Sequence, residues 1–98
     1  MLVIENYHRK IISICQKYQV KSLSIFGSAL TEHFNESSDV DFLIELEGAA
    51  NGIKRYMNVK FELEELFSRP VDLVMLKALK NSRIKEYIFS NIKTVYTS

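Results

Sequence analysis

The sequence predicts an α/β fold in which helices cover one face of a small β-sheet. Apolar residues recur at three- and four-residue steps in some segments and at two-residue steps in others, and the two patterns alternate along the chain. The composition is that of a globular protein, with 47% apolar and 26% charged residues. A length of 98 residues corresponds to one domain. We therefore expect residues 1–98 to form a single domain.

The first third of the chain combines helix and strand patterns. A helix is predicted over about 4–19, because six apolar or aromatic side chains fall on one helical face. They are Ile4, Tyr7, Ile11, Ile14, Cys15 and Tyr18. A short strand over 22–26 follows and stops at Gly27, and residues 28–34 have the pattern of a short helix. The polar segment 35–38 is typical of a turn.

The next segment, 39–46, predicts a strand with two different faces. One face is purely apolar, and the other carries the charged side chains of Asp39, Asp41 and Glu45 together with Leu43. The apolar face consists of Val40, Phe42, Ile44 and Leu46. Such a strand is buried on its apolar side.

The remaining elements continue the alternation of helices and strands. Helical spacing returns over 53–68 and ends before Pro70, because a residue that precedes proline is disfavoured in helical geometry. A third strand is predicted over 71–76 and a last helix over 82–91. Residues 94–96 have the pattern of a short edge strand.

The three aspartates are the candidate metal ligands. Asp39 and Asp41 are two apart on a strand, so their carboxylates project from the same face. Like charges at that distance repel unless a cation lies between them, and Mg²⁺ prefers hard oxygen ligands completed by water and phosphate. Asp72, on the next strand, joins this face if the two strands are neighbours. Three carboxylates on a pair of strands could hold two metal ions.

A candidate phosphate site precedes the carboxylates. Gly27 and Ser28 lie where a strand turns into a helix. Glycine there lets a phosphate approach the backbone, and a helix N-terminus offers free N–H groups. Alone, each of these motifs also has an ordinary interpretation. Asp39 can end a turn, Asp41 and Asp72 can be solvent-facing charges on a sheet, and Ser28 can simply cap a helix.

Together the motifs resemble a known family. Gly27-Ser28, ten residues, and then Asp39-x-Asp41 is similar to the signature of the DNA polymerase β-like nucleotidyltransferases, and Asp72 falls where that superfamily has its third carboxylate. Nearly the whole chain resembles a minimal nucleotidyltransferase (MNT), the stand-alone catalytic core that is paired with a HEPN-domain protein as an antitoxin and its toxin.

The resemblance implies a fold, a reaction and a partner. The fold is a small mixed β-sheet with helices packed on it. The reaction is transfer of AMP from ATP, with two Mg²⁺, to a tyrosine hydroxyl of the HEPN toxin, with which the chain forms a hetero-oligomer. Asp39 and Asp41 would hold the metal ions, and Asp72 would complete the site and help to deprotonate the acceptor. Gly27 and Ser28 would hold the triphosphate.

One feature departs from that family. Many members carry a basic residue soon after the Gly-Ser, whereas this chain continues as Ala29-Leu30-Thr31-Glu32. Lys54 and Arg55, at the start of the third predicted helix, are candidates to supply the missing positive charge. The departure keeps a second hypothesis open, in which the chain is a non-catalytic antitoxin that neutralises its partner by binding.

Composition narrows the remaining classes of function. The formal net charge is +1, so no global basic field attracts nucleic acid, and we expect no direct nucleic-acid binding. The second half of the chain is nevertheless basic, which leaves an RNA-binding accessory protein as a third, weaker alternative. One cysteine excludes a disulfide framework, and no apolar run approaches 18 residues. We expect a cytoplasmic protein without a membrane segment.

Overall fold

The computed structural model describes residues 2–98 as a mixed four-stranded β-sheet with three α-helices. The helices are α1 (His8–Lys17), α2 (Gly52–Phe67) and α3 (Ser82–Ser90), and the strands are β1 (Val20–Phe26), β2 (Val40–Leu46), β3 (Val71–Met75) and β4 (Ile92–Thr97). The strand order is β3-β2-β1-β4. β2 and β3 are parallel and the other pairs are antiparallel, which confirms the predicted fold class.

The main core lies between one face of the sheet and helices α1 and α2. The predicted apolar face of β2 is fully used, because Val40, Phe42, Ile44 and Leu46 are all buried. They pack against side chains of α1 and α2, which include Ile11, Ile14, Cys15, Val59, Leu63 and Phe67. The interpretation of Cys15 as a core residue is thereby confirmed.

The second face of the sheet is also partly covered, contrary to the expectation that helices cover one face only. Ile88 of α3 packs with Phe26 and Leu43, the apolar residue on the charged face of β2. The alternation along β2 could not show this, because a single apolar residue on a polar face is common on exposed strands. The covering is limited, since Ile88 is the one buried residue of α3.

Two predicted helices are shorter than expected. The segment 4–7 forms a 3-10 turn before α1. The predicted helix over 28–34 is wrong: only Gly27–Leu30 forms a 3-10 turn, and Thr31 is extended. The Thr31 side chain donates to the carbonyl of Ser28 at 2.8 Å. This local bond competes with helix continuation, as threonine side chains often do.

Within residues 2–98, no helix is long and apolar enough to cross a bilayer.

The last strand is longer than predicted and forms one edge of the sheet beside β1. Tyr96, on this edge strand, is half-buried and packs against the main core.

Candidate active site

The parallel pairing of β2 and β3 brings two of the predicted carboxylates together. Asp41 and Asp72 are register partners, and the flanking pairs Val40–Val71 and Phe42–Leu73 are buried in the main core. Neighbouring residues of a strand point to opposite faces, so Asp41 and Asp72 both project from the face that α1 and α2 leave free. The condition set by the sequence, that these strands be neighbours, is met.

Asp39 completes an acidic cluster at the amino-terminal end of β2. Asp39 and Asp72 are exposed, whereas Asp41 is half-buried. Burial, followed by repulsion from the charges of Asp72 and Asp39, raises the pKa of Asp41 to about 6. The charges of Asp39 and Asp72 therefore act on Asp41, and the cluster is an unfavourable place for a further negative charge.

The cluster fits a divalent cation in its donor chemistry. The ion pairs within residues 2–98 are Lys17–Glu62, Lys21–Glu45 and Lys93–Glu5, so none of them neutralises the three aspartates. Across the same residues, no three acidic, histidine or cysteine side chains converge closely enough to coordinate one ion by themselves. A Mg²⁺ ion here would take part of its coordination sphere from water and substrate phosphate, as this ion favours.

Gly27 is required where it lies for two reasons. Its φ of +78° is in the left-handed region, which glycine adopts without strain. A Cβ at this position would also lie only 2.7 Å from Asp41 Oδ2. The last residue of β1, Phe26, is the register partner of Asp41. The Gly27-Ser28 turn and the acidic cluster therefore meet at one end of the sheet.

The turn offers fewer free backbone donors than a helix N-terminus would. The Gly27 N–H donates to the carbonyl of Asn91 at 3.4 Å, and the 3-10 turn is four residues long. The expected helix dipole at this position is correspondingly small, because it grows with the number of aligned peptide units. Ser28 is half-buried at the mouth of the turn.

Arg69 fixes the loop that leads to Asp39, a role that the sequence did not reveal. Its Nη1 donates to the carbonyls of Asn35 and Ser38, both at 2.9 Å. Its guanidinium carbon lies 4.5 Å from the centre of the Phe34 ring. The loop is thereby tied to the beginning of β3. An arginine before a proline carries no pattern from which these long-range contacts could be predicted.

The proposed compensation by Lys54 and Arg55 is wrong for Arg55. Its guanidinium is buried and donates to five backbone carbonyls, which belong to Tyr18, Gln19, Glu47, Gly48 and Ala50. These carbonyls surround the carboxyl end of β2, and Asp41 lies at its other end, about 20 Å away for a strand of seven residues. Lys54 begins the same helix and is exposed. The positive charge missing after Ser28 is not replaced from here.

A tyrosine that the sequence placed in the core lies at this site instead. The helical spacing of Ile84, Tyr87 and Ile88 over 82–91 predicts that all three share one buried face, but only Ile88 is buried. Tyr87 is 63% exposed, and its hydroxyl oxygen lies 3.7 Å from the position of a Cβ on Gly27. The two histidines, His8 and His33, are exposed, and burial raises the pKa of the Cys15 thiol to about 12.

Comparison with known proteins places this geometry in context. The family described as "Polymerase beta, Nucleotidyltransferase" matches residues 9–98. A candidate protein adenylyltransferase of Methanocaldococcus jannaschii is 38% identical over 81 residues, which span 83% of this chain and 80% of that protein. Protein adenylyltransferase MntA of Thermococcus cleftensis is 32% identical over 78 residues, spanning 80% and 76% of the two chains.

Solved structures share the fold at lower identity. A structure described as a candidate minimal nucleotidyltransferase has a TM-score of 0.76 at 23% identity and covers 95% of both chains. A toxin–antitoxin structure with AMP-PNP has a TM-score of 0.72 at 18% identity, covering 93% of this chain and 73% of that one. The complex of a tri-AMPylated Shewanella oneidensis HEPN toxin with its MNT antitoxin gives 0.67 at 18%, covering 96% and 72%.

Proposed function

The chain belongs to the polymerase beta nucleotidyltransferase family, and we propose that it is a protein adenylyltransferase and the antitoxin of a HEPN toxin. In the proposed reaction it transfers AMP from ATP to a tyrosine hydroxyl of that toxin and so inactivates it. The observation that carries the proposal is the meeting of Asp39, Asp41 and Asp72 beside the Gly27-Ser28 turn.

The proposal gives each residue of the site a role. Asp39, Asp41 and Asp72 would together hold two Mg²⁺ ions. Mg²⁺ held there would neutralise charge on the triphosphate and lower the pKa of the attacking hydroxyl. Asp72, the more exposed residue of the Asp41–Asp72 register pair, accepts the proton of the acceptor hydroxyl. Gly27 lets the triphosphate approach the backbone closely, and the Ser28 hydroxyl donates a hydrogen bond to it.

The comparisons support a protein acceptor and ATP as the donor. The two relatives described above carry the name protein adenylyltransferase. One structural neighbour contains AMP-PNP, and another is a complex in which the toxin is AMPylated. We propose that residues 1–98 act as one catalytic domain that assembles with such a toxin in the cytoplasm, where reducing conditions fit the single free cysteine.

Label transfer tests the proposal. The protein is incubated with the product of the adjacent gene, Mg²⁺ and ATP labelled at the α-phosphate. We expect label on the partner with the wild type and a loss of at least about a hundredfold with Asp41→Asn, because that variant removes one charged metal ligand. Glu45→Gln is the matched control: Glu45 lies on the same face of β2 but pairs with Lys21. Equal labelling by the wild type and Asp41→Asn would contradict the assignment.

A second candidate function is neutralisation by binding alone. Two observations favour it: the four residues after Ser28 include no basic residue, and the Gly27 N–H already donates to the Asn91 carbonyl. Expression of the toxin with an Asp39→Ala, Asp41→Ala antitoxin separates the two functions in cells. Survival with the folded double variant would support binding alone, whereas cell death would support the chemical reaction.

A further inference from the structure

Helix α3 is anchored on the face of the sheet that carries the acidic cluster. Its one buried residue, Ile88, packs with Phe26 and Leu43. Phe26 immediately precedes Gly27, and Leu43 is two residues beyond Asp41 on the same face of β2. After the helix, the Asn91 carbonyl accepts from the Gly27 N–H. The carboxyl-terminal half of α3 is therefore packed beside the site through contacts to β1 and β2.

The Tyr87 hydroxyl lies beside Asp41 of the acidic cluster. A Cβ placed on Gly27 would lie 2.7 Å from Asp41 Oδ2 and 3.7 Å from the Tyr87 hydroxyl oxygen. The phenol oxygen and the carboxylate oxygen thus flank the same point beside the glycine that the proposed function assigns to the triphosphate.

The Tyr87 hydroxyl is also available for reaction. Its side chain is 63% exposed. Two other tyrosine hydroxyls are engaged, since Tyr18 donates to Glu62 and Tyr56 donates to the Leu73 carbonyl at 2.5 Å. Within residues 2–98, the hydroxyl of Tyr87 has no such partner. Tyr87 therefore combines the acceptor chemistry of the proposed reaction with a position at the reacting end of the sheet.

We propose that Tyr87 is a self-adenylylation site, modified by the active site of its own chain. The inference rests on the proposed function. A bond forms between the Tyr87 hydroxyl oxygen and the α-phosphorus of ATP, and the bond from that phosphorus to the oxygen bridging to the β-phosphorus breaks. Pyrophosphate leaves, and the hydroxyl proton goes to Asp72. The product is AMP–Tyr87, whose phosphodiester lies against the Gly27-Ser28 turn.

Mass spectrometry of the intact protein and its peptides tests the proposal. The protein is incubated with Mg²⁺ and ATP, with and without the product of the adjacent gene. We expect a mass increase of one AMP that maps to Tyr87. It is lost in Tyr87→Phe and in Asp41→Asn and retained in Tyr96→Phe, a control tyrosine on β4. Thermal unfolding of each variant confirms that it is folded. The labelled fraction grows at a rate independent of protein concentration.

The outcomes separate this inference from the proposed function. AMP on the partner with none on Tyr87 would overturn self-adenylylation and leave the proposed function intact, and AMP on another residue of this chain would also overturn it. A rate proportional to protein concentration would show transfer between copies and contradict modification by the same chain. Absence of AMP from both proteins would overturn both proposals.

Discussion

Asp41 is the residue at which the electrostatic conflict of the site is concentrated. It is half-buried, and the charges of Asp72 and Asp39 act on it in addition. Burial is the larger cause of its raised pKa, so the environment of β2 itself already disfavours the ionised form. A divalent cation bound at the cluster, as proposed above, would offset the repulsion between the carboxylates and favour the ionised form of Asp41.

This conflict predicts how stability depends on pH. The pKa of Asp41 is about 6 in the folded state against 3.8 in its ordinary range. The folded protein therefore binds this proton more tightly than the unfolded chain, and its stability falls as the pH rises between those values. Asparagine does not ionise, so Asp41→Asn avoids this penalty. It should be more stable than the wild type near neutral pH by about 1 kcal/mol after solvent screening.

Thermal unfolding at several pH values measures this effect. The difference in Tm between Asp41→Asn and the wild type should shrink towards about pH 4, where the carboxyl is protonated in the folded state. Glu36→Gln, on an exposed turn, controls for removal of one negative charge. A wild type as stable as Asp41→Asn at neutral pH would show that the cluster imposes no such penalty.

At the scale of the elements, Arg55 bonds three segments together through one side chain. Its donors bond to carbonyls at the end of α1, at the end of β2 and in the loop before α2. A guanidinium with five N–H groups is the side chain that can bond so many carbonyls at once. This arginine is a structural residue of the fold.

Replacement of Arg55 should therefore affect stability strongly. Arg55→Met removes all the hydrogen bonds that this buried guanidinium donates, and we expect a loss of roughly 3 kcal/mol or more in the free energy of unfolding. Urea denaturation measures it. The matched control is Lys54→Met, one residue earlier and exposed, which should change stability by less than about 0.5 kcal/mol. Similar losses in the two variants would contradict the role given to Arg55.

The loop between β1 and β2 shows how tertiary contacts override local pattern. Residues 28–34 have apolar spacing that fits a short helix, yet the helix is not formed beyond Leu30. Phe34 instead lies against the Arg69 guanidinium, and Arg69 also binds the carbonyls of Asn35 and Ser38. These contacts cross more than thirty residues of sequence, so no local window contains the information that decides the conformation.

For the whole molecule, the burial is distributed unevenly between the two faces of the sheet. Helices α1 and α2 contribute three and four buried residues respectively, whereas α3 contributes Ile88 alone. Three of its other apolar side chains, Ile84, Tyr87 and Phe89, are at least half exposed. The hydrophobic stabilisation of α3 is correspondingly small, and local opening is easiest where few apolar contacts are buried.

Amide hydrogen exchange should reveal this difference. We expect the amides of α3 to exchange faster than those of α2 by at least about tenfold, because α3 can open without disrupting the main core. The central strands β1 and β2 should be the slowest, since both are paired on two sides. Mass spectrometry of peptides from each element measures the rates. Protection of α3 equal to that of α2 would contradict this distribution of stability.

The sequence by itself determined the identity of most elements and the side chains that share a face. Alternation over 39–46 places Asp39 and Asp41 on one side of a strand, because the direction of side chains along a strand is a local property with a period of two. The buried face of β2 and the core position of Cys15 follow from the same kind of pattern.

Only the tertiary structure decided which distant residues meet. Asp72 lies beside Asp41 because β2 and β3 pair in parallel in one register, with α2 connecting the two strands in the chain and packing on the opposite face of the sheet. The burial of Arg55, the hold of Arg69 on the loop before Asp39 and the position of Tyr87 at the site are contacts of the same kind. Periodicity shows which side of an element is apolar. The segment that packs against that side is decided by contacts between residues far apart in the chain.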